Sequence, residues 1–265
     1  MKIALCLLAR LENKYIREYV EYYEKLGFDN IIIYDNNRPE EEDFHDEIGD
    51  YIDNGYVKIV KWPVFNGNSQ HSSYNDCYYK FKDQYDWIAF FDADEYFVPC
   101  KCNTIKEFLL NDLYKDFGAV AIPMKNFDDN DILVNNTKTR LDKYTRQCKN
   151  DVWRYYKSIV KCNNDIDFFS DISDSAHLPY IETSKICDAD GKVIPWNFYQ
   201  CKKDIENAYL KHIPTGCIDD FINGKDLRKW PDTNSTIQFG LGYFSIYNDL
   251  TKEKIDYYDK FKKSE

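Results

Sequence analysis

Short apolar runs alternate with amphipathic stripes along the first part of this chain, and this alternation limits the possible folds more than any other feature. The apolar runs are typical of strands buried on both faces, and they cover Lys2–Ala9, Asn30–Tyr34, Val57–Trp62 and Trp87–Phe91. Helical patterns separate them at Tyr15–Leu26, Asp43–Asp53 and Ser69–Asp83. Because strands that alternate with helices connect by right-handed crossovers, the sequence predicts an α/β fold with a mostly parallel sheet flanked by helices.

A polar cluster lies beyond each of these predicted strands. The clusters are Arg10-Leu11-Glu12, Asp35-Asn36-Asn37, Gly67-Asn68 and Asp92–Glu95. The carboxyl ends of parallel strands meet at one edge of a sheet, and ligands of open α/β sheets bind outside that edge. We therefore expect a binding site there.

The acidic cluster after the Trp87–Phe91 strand carries the most specific chemistry. Asp92 and Asp94 leave the sheet together, and two carboxylates held that close repel each other unless a cation lies between them. A hard divalent ion such as Mg²⁺ or Mn²⁺ suits oxygen ligands and keeps positions open for phosphates. The pattern favours a metal site with a phosphate-carrying substrate, and the alternative is an acidic surface turn after a core strand.

Composition excludes several classes of protein. The 265 residues, of which 43% are hydrophobic, suit one domain with a packed core. A net charge of −11 argues against nucleic-acid binding and against electrostatic attachment to an anionic membrane. No segment reaches the length of a membrane span, so we expect a cytosolic protein. The nine cysteines include no Cys-x-x-Cys pair, which favours reduced thiols.

The second half of the chain is less regular. Patterns predict strands at Ala119–Pro123 and Trp153–Val160, with a polar loop at Phe127–Asn136 between them. They also predict short helices at Ile205–Lys211, Ile218–Asn223 and Lys225–Trp230, and a surface helix within Ile246–Lys263. We expect side chains of this irregular region to determine much of the shape of the binding pocket.

Blocks of residues in this chain resemble glycosyltransferase family 92 and its bacterial relatives. The blocks are Ala9–Glu12, Ile33–Asn37, Tyr74–Cys77 and Trp87–Tyr96, followed by Lys157–Val160, His177, His212–Thr215 and Leu227–Trp230. The resemblance implies the glycosyltransferase-A fold, a Rossmann-like α/β domain, with a catalytic part at residues 1–230. Residues 231–265 would then form an extension that packs on the same domain. Ile213 and Gly216 stand where the relatives carry an aromatic residue and a lysine.

The resemblance implies a nucleotide-sugar donor, with UDP as the expected nucleotide, and a saccharide or glycan acceptor. Asp92 and Asp94 would contact the ribose and the metal-bridged diphosphate, with Asp94 as the stronger ligand of Mn²⁺ or Mg²⁺. His177 or His212 would complete the metal site, although each could instead hold a buried carbonyl or lie at the surface. Asp35 would bind the nucleobase or ribose, or else form an ordinary Asx turn.

Four further residues lie close to the expected donor. Arg10 and Glu12 follow the first strand at the same edge, where a structural ion pair is an equal alternative. Gln70 and Tyr74 begin a helix that would line the donor pocket, although a tyrosine there is more often part of the core.

Transfer also requires a general base and cations for the leaving diphosphate. The loop after the metal site contains Asp128 and Asp129, which we predict as the base, with Asp174 as the second choice. The alternative is a solvated acidic loop. The candidate cations are Lys157, Lys161, Arg228 and Lys229. An inverting reaction is expected from the resemblance alone.

Two other functions compete with metal-dependent glycosyl transfer. A phosphatase of the haloacid-dehalogenase type also carries Asp-x-Asp after a buried strand, but a Thr or Val usually lies two residues beyond the second Asp, where this chain has Tyr96. A non-catalytic relative that binds a nucleotide or sugar is the other alternative, because a fold does not fix a function.

Overall fold

A computed structural model describes residues 1–65, 69–149, 155–168, 176–181, 184–195, 201, 206–226 and 240–263. The strands are β1 (Ile3–Ala9), β2 (Asn30–Asp35), β3 (Val57–Lys61), β4 (Trp87–Phe90), β5 (Glu95–Pro99), β6 (Ala119–Asn126), β7 (Tyr156–Lys161), β8 (Ile166–Asp167), β9 (Tyr180–Ile181), β10 (Ile186–Asp188), β11 (Val193–Ile194) and β12 (Ala208–His212). The α-helices are α1 (Asn13–Lys25), α2 (His45–Asp53), α3 (Ser69–Phe81), α4 (Ile105–Leu109), α5 (Ile218–Phe221), α6 (Gly240–Tyr247) and α7 (Lys252–Lys262). A 3₁₀ turn covers Asp112–Tyr114, and a π-helical turn covers Ile222–Asp226.

One large sheet organises the described part of the chain. Its main path runs β11-β10-β6-β7-β4-β1-β2-β3, and β5 and β12 branch from it beside β6. β4, β1, β2 and β3 are parallel, whereas β7 runs antiparallel between β4 and β6. The predicted α/β fold with a mostly parallel sheet is confirmed.

The alternating side chains of β1 explain why the sheet is covered on both faces. Ile3, Leu5 and Leu7 belong to the core cluster that includes the α1 stripe, while Ala4 and Cys6 belong to the cluster that includes α3. All five residues are buried. Because a strand without a polar face must be covered by apolar side chains on each side, the apolar run itself dictates the layered arrangement.

The predicted helix at Ile205–Lys211 is wrong over its described residues, because Ala208–His212 form strand β12. β12 lies between β5, with which it pairs antiparallel, and β6, with which it pairs parallel. A run of five residues fits a helical or a strand pattern equally well, and these non-local partners decide the outcome. The sequence analysis also missed β5.

The end of the chain forms two helices, where the sequence analysis expected one within Ile246–Lys263. Thr251 caps α7 by accepting a hydrogen bond from the backbone N–H of Lys254. Phe244 of α6 is fully buried against Phe221 of α5, with ring centroids 5.4 Å apart. The proposed domain boundary at residue 230 falls outside the described residues and stays a prediction. Among the described residues, none of the helices combines the length and the apolar character that crossing a membrane requires.

Candidate functional site

The loop between β4 and β5 holds the two predicted aspartates at the carboxyl edge of the sheet. The Asp92 carboxylate accepts hydrogen bonds from Lys157 Nζ at 2.8 Å, Gln70 Nε2 at 2.6 Å and the Tyr74 hydroxyl at 2.9 Å. Lys157 comes from β7 and the other two donors from α3, so three elements fix this one side chain. The side chains of Gln70 and Tyr74 thus reach the expected edge.

Asp94 lies where β12 brings a histidine to the same edge. The pairing of β12 with β5 sets His212 opposite Glu95, and the Ile213 backbone N–H donates to the Asp94 carbonyl at 2.9 Å. His212 Nε2 is 3.7 Å from Asp94 Oδ2, and Lys225 Nζ is 3.4 Å from the same oxygen. A histidine more than a hundred residues away in sequence therefore meets the acidic loop through strand pairing.

The orientation of the His212 ring is set by a buried amide. His212 Nδ1 lies 2.7 Å from Asn126 Oδ1, and Asn126 is only 3% exposed on β6. An amide oxygen accepts hydrogen bonds, so Nδ1 donates to Asn126 and Nε2 is the ring nitrogen that faces Asp94. This is the tautomer that a metal-binding histidine requires.

Asp94, Glu95 and His212 form a group that fits a divalent ion. One ligand atom from each of these residues lies within 4.8 Å of the others. Two carboxylates and one imidazole suit Mn²⁺ or Mg²⁺ by their donor chemistry. Glu95 also accepts the Asp92 backbone N–H at 2.9 Å, and its other oxygen lies 3.9 Å from Lys157 Nζ.

The carboxylates of this group have opposite electrostatic surroundings. Burial raises the pKa of Asp94, but Lys225 and His212 outweigh it and hold that pKa well below its usual range. For Glu95, burial dominates and raises the pKa well above its usual range, although Lys157 opposes the shift. Asp94 thus carries its negative charge, with Lys225 as the cation beside it.

His177 has a different environment from His212. Its Nδ1 lies 3.0 Å from the Tyr156 carbonyl oxygen, and its ring stacks on Tyr155 with centroids 4.8 Å apart. Burial and then the Lys157 ammonium lower the pKa of His177 to about 3, so the ring is neutral. His177 thus contacts a backbone carbonyl, which was the alternative to metal binding in the sequence analysis. It does not belong to the group of possible metal ligands found among the described residues.

The predicted nucleotide-binding residues Arg10 and Asp35 both have protein partners. The Arg10 guanidinium forms an ion pair with Glu41. Asp35 pairs with Lys61 and accepts the Asn37 backbone N–H at 2.9 Å, which is the contact of an Asx turn. Their roles towards a nucleotide stay predictions.

The two predicted base residues lie in a network of ion pairs. Asp128 Oδ2 is 2.7 Å from Arg146 Nε, and Asp129 Oδ2 is 2.5 Å from Lys254 Nζ on α7. Asp129 and Lys254 are 0% and 2% exposed at their side chains, so this pair joins the loop to the C-terminal helix inside the protein. Asp174 lies outside the described residues.

We expect the Asp129→Asn variant to lose about 3–5 kcal/mol of unfolding free energy, because the buried Lys254 ammonium would lose its carboxylate. Urea unfolding measures the loss. The control is Asp249→Asn, because Asp249 and its partner Lys149 are both more than half exposed, and we expect that variant to unfold like the wild-type protein. Equal stability of the Asp129→Asn variant and the wild-type protein would contradict the buried pair.

A cavity of about 230 Å³ opens beside Asp94. Its wall carries the cationic side chains Lys14, Arg140 and Lys225, and the carboxylates Glu12, Glu42, Asp94 and Asp220. Glu12 and Arg140 form a buried pair with Oε2 and Nη2 3.1 Å apart, and Asp220 accepts the Tyr15 hydroxyl at 2.6 Å. The arrangement offers charged hydrogen-bonding groups to a polar ligand next to the possible metal site.

The sequence analysis missed Asn126, Arg140 and Asp220, and it gave Lys225 no role. Asn126 ends β6 next to the other polar strand ends, so the rule for carboxyl edges could have indicated it. The other three have no local signal, because only the folded chain brings them to the cavity.

The structure indicates a testable role for Asn126. We expect Asn126→Ala to weaken Mn²⁺ binding about 10–100-fold, because the His212 ring would lose the acceptor that fixes its tautomer. Calorimetric titration with Mn²⁺ alone measures this, and Asn126→Asp, which keeps an acceptor oxygen, serves as the control. An unchanged dissociation constant in the alanine variant would exclude the role.

Comparison with known proteins identifies the class and then the family. The family model described as Glycosyltransferase family 92 matches residues 2–236, which places the chain among the glycosyltransferases. It belongs to glycosyltransferase family 92, as its sequence blocks indicated.

Similar proteins include family 92 proteins of plants. One from Arabidopsis thaliana is 30% identical over 100 residues, and one from Oryza sativa subsp. japonica is 24% identical over 111 residues. These matches cover 37% and 41% of this chain, but only 17% and 18% of the length of the two relatives. The chain thus corresponds to a small part of each.

The solved structures with some similarity include TarS of S. aureus. Its fragment 1–349 is 14% identical with a TM-score of 0.44, covering 90% of this chain and 67% of that one. The complex of the same fragment with UDP is 15% identical with a TM-score of 0.36, covering 51% and 38%. Similarity at this level is too low to transfer a residue or a ligand.

Proposed function

We propose that this protein is a divalent-metal-dependent glycosyltransferase that moves a sugar from a UDP-linked donor to a saccharide or glycan acceptor, with inversion. The observation that supports this most is the meeting of Asp94, Glu95 and His212 at the carboxyl edge, beside a charged cavity. Membership of family 92 supports the reaction class. The nucleotide follows from the sequence resemblance.

Asp94 and His212 would hold Mn²⁺ or Mg²⁺, with Glu95 as the third ligand. When bound, such an ion neutralises the charge that develops on a departing diphosphate. Asp92 is fixed by its three donors, and its side chain is 32% exposed, so its carboxylate could still accept a hydrogen bond from a ribose hydroxyl. Because these hydrogen bonds already fix the Asp92 side chain, less conformational entropy is lost when a ligand binds.

Arg10, Glu12 and Asp35 would bind the nucleotide at the neighbouring strand ends. Their protein contacts do not prevent this, because a side chain held by a partner is also held in position for a ligand. His177 stays the second histidine candidate for the metal site.

The proton of the acceptor hydroxyl needs a carboxylate as general base. Asp128 and Asp129 are the candidates from the sequence, and Asp220 is a rival because it lines the cavity. A folded Asp129→Asn or Asp128→Asn protein that keeps its UDP affinity but loses transfer would support the first pair. If only Asp220→Asn kept its UDP affinity and lost transfer, Asp220 would be supported as the base.

The function is tested by incubating the protein with a panel of UDP-sugars and saccharide acceptors and following the release of UDP. We expect release that requires Mn²⁺ or Mg²⁺ and stops with EDTA. Hydrolysis of a generic phosphate ester without any effect of nucleotide would instead indicate a phosphatase. Thermal stabilisation by UDP and Mn²⁺ without turnover would indicate a binding protein.

A further inference from the structure

We propose that Lys225 competes with the divalent ion for one oxygen of Asp94, and that its ammonium binds the donor diphosphate once the ion holds that oxygen. This inference rests on the proposed metal-dependent transfer. It adds a substrate-binding residue to that site, and it predicts that removing the lysine strengthens metal binding while it weakens nucleotide binding.

The geometry at Asp94 sets up the competition. Asp94 Oδ2 is the oxygen closest to both Lys225 Nζ, at 3.4 Å, and His212 Nε2, at 3.7 Å. An ion held by Asp94 Oδ2 and His212 Nε2 would place its charge only a few ångströms from the Lys225 ammonium. Like charges at such a separation repel strongly in a partly buried site. Binding of the ion to Asp94 Oδ2 therefore weakens the Lys225 contact with the same oxygen, and the Lys225 contact weakens binding of the ion.

The backbone around Lys225 is built to keep its ammonium at the cavity wall. Lys225 lies in the π-helical turn Ile222–Asp226, a conformation that is rare and frequent at functional sites. The next residue, Asp226, is fully buried and accepts hydrogen bonds from the Gly240 N–H at 2.8 Å and the Tyr258 hydroxyl at 3.1 Å. Two segments from the end of the chain thus fix the turn. Lys225 Nζ also donates to the Pro214 carbonyl at 3.0 Å.

The other cavity cations differ from Lys225 in the carboxylates that they contact. Lys14 pairs with Asp220, and Arg140 pairs with Glu12. Neither of these carboxylates belongs to the possible metal site, so both pairs persist when an ion binds. The carboxylate beside Lys225 is the one that the ion requires. An ion that binds Asp94 therefore displaces Lys225 from this carboxylate, and the Lys225 ammonium would then contact a diphosphate bound beside the ion.

The test measures Mn²⁺ binding to the purified protein without nucleotide, by calorimetric titration. We expect Lys225→Met to bind Mn²⁺ about tenfold more tightly than the wild-type protein. With Mn²⁺ saturating, the variant should bind UDP about tenfold more weakly and release UDP from the donor about a hundredfold more slowly. Lys225→Arg keeps the charge and should recover most of the UDP affinity. Lys225→Gln gives the same readouts if the methionine variant folds poorly.

Lys14→Met is the matched control. Lys14 lies on the same cavity wall but pairs with Asp220 and not with Asp94. Its Mn²⁺ affinity should stay within about twofold of the wild-type value. Unchanged or weaker Mn²⁺ binding in Lys225→Met, with wild-type protein that binds Mn²⁺ and transfers sugar, overturns this inference and leaves the proposed function intact. A wild-type protein that binds no Mn²⁺ overturns both.

Discussion

The Asp94→Asn variant is expected to transfer sugar about a thousand times more slowly than the wild-type protein. Asp94 is the carboxylate whose pKa is held well below its usual range, and it contacts His212 in the possible metal site. A bound metal ion contributes several kcal/mol to a transition state that develops negative charge, and about 1.4 kcal/mol corresponds to a factor of ten in rate. Initial rates of UDP release at saturating donor and Mn²⁺ measure the effect.

Two measurements keep this prediction distinct from a loss of folding. Asparagine has the shape of aspartate but lacks the charge that Lys225 and His212 stabilise, so the variant should unfold at a somewhat lower temperature and remain folded at the assay temperature. Mn²⁺ titration should show an affinity at least tenfold lower than that of the wild-type protein. A folded variant that keeps more than a tenth of the wild-type rate would argue against Asp94 as a metal ligand.

The first half of the fold was predictable because its signals are local. A buried parallel strand is a continuous apolar run, and the helix that covers it shows a stripe, as Ile16, Tyr19, Val20 and Tyr23 do in α1. β1, β2, β3 and β4 therefore appear in the structure within one or two residues of their predicted bounds.

The second half was less predictable because it depends on pairing between distant segments. β5 and β12 are each five residues long, and each becomes a strand because the other lies beside it. Neither has a pattern long enough to separate a strand from a helix. The choice between His177 and His212 beside Asp94 depends on the same pairing, since His212 is the last residue of β12. Sequence spacing alone left both histidines open.

The acidic part of the site was predictable for a different reason. Asp92 and Asp94 directly follow an apolar strand, so their position at the carboxyl edge follows from the fold class alone. The cations around them do not follow from it. Lys157 was one of four candidate cations for the leaving diphosphate, and the structure shows it at Asp92 because β7 runs antiparallel beside β4. Arg228 and Lys229 lie outside the described residues.

Lys157 should also contribute strongly to stability. Its side chain is 1% exposed, with Nζ 2.8 Å from Asp92 and 3.9 Å from Glu95, which is itself 1% exposed. Lys157→Met would leave two carboxylates side by side without this cation, and breaking a buried pair by removing one partner costs about 3–5 kcal/mol. We expect the free energy of unfolding, measured in urea, to fall by that amount.

Two further variants show whether charge is the cause of that loss. Lys161 is another lysine of β7, and its Nζ donates to the Lys115 carbonyl oxygen. Lys161→Met should lower the free energy of unfolding by about 1 kcal/mol or less. Adding Glu95→Gln to Lys157→Met removes the buried carboxyl group whose charged form Lys157 stabilises, but keeps an oxygen for the Asp92 N–H. The double variant should therefore recover a large part of the stability. If the double variant were no more stable than Lys157→Met, the loss would come from packing of the lysine stem, and Lys157 would not act as the counter-ion that holds the acidic loop together.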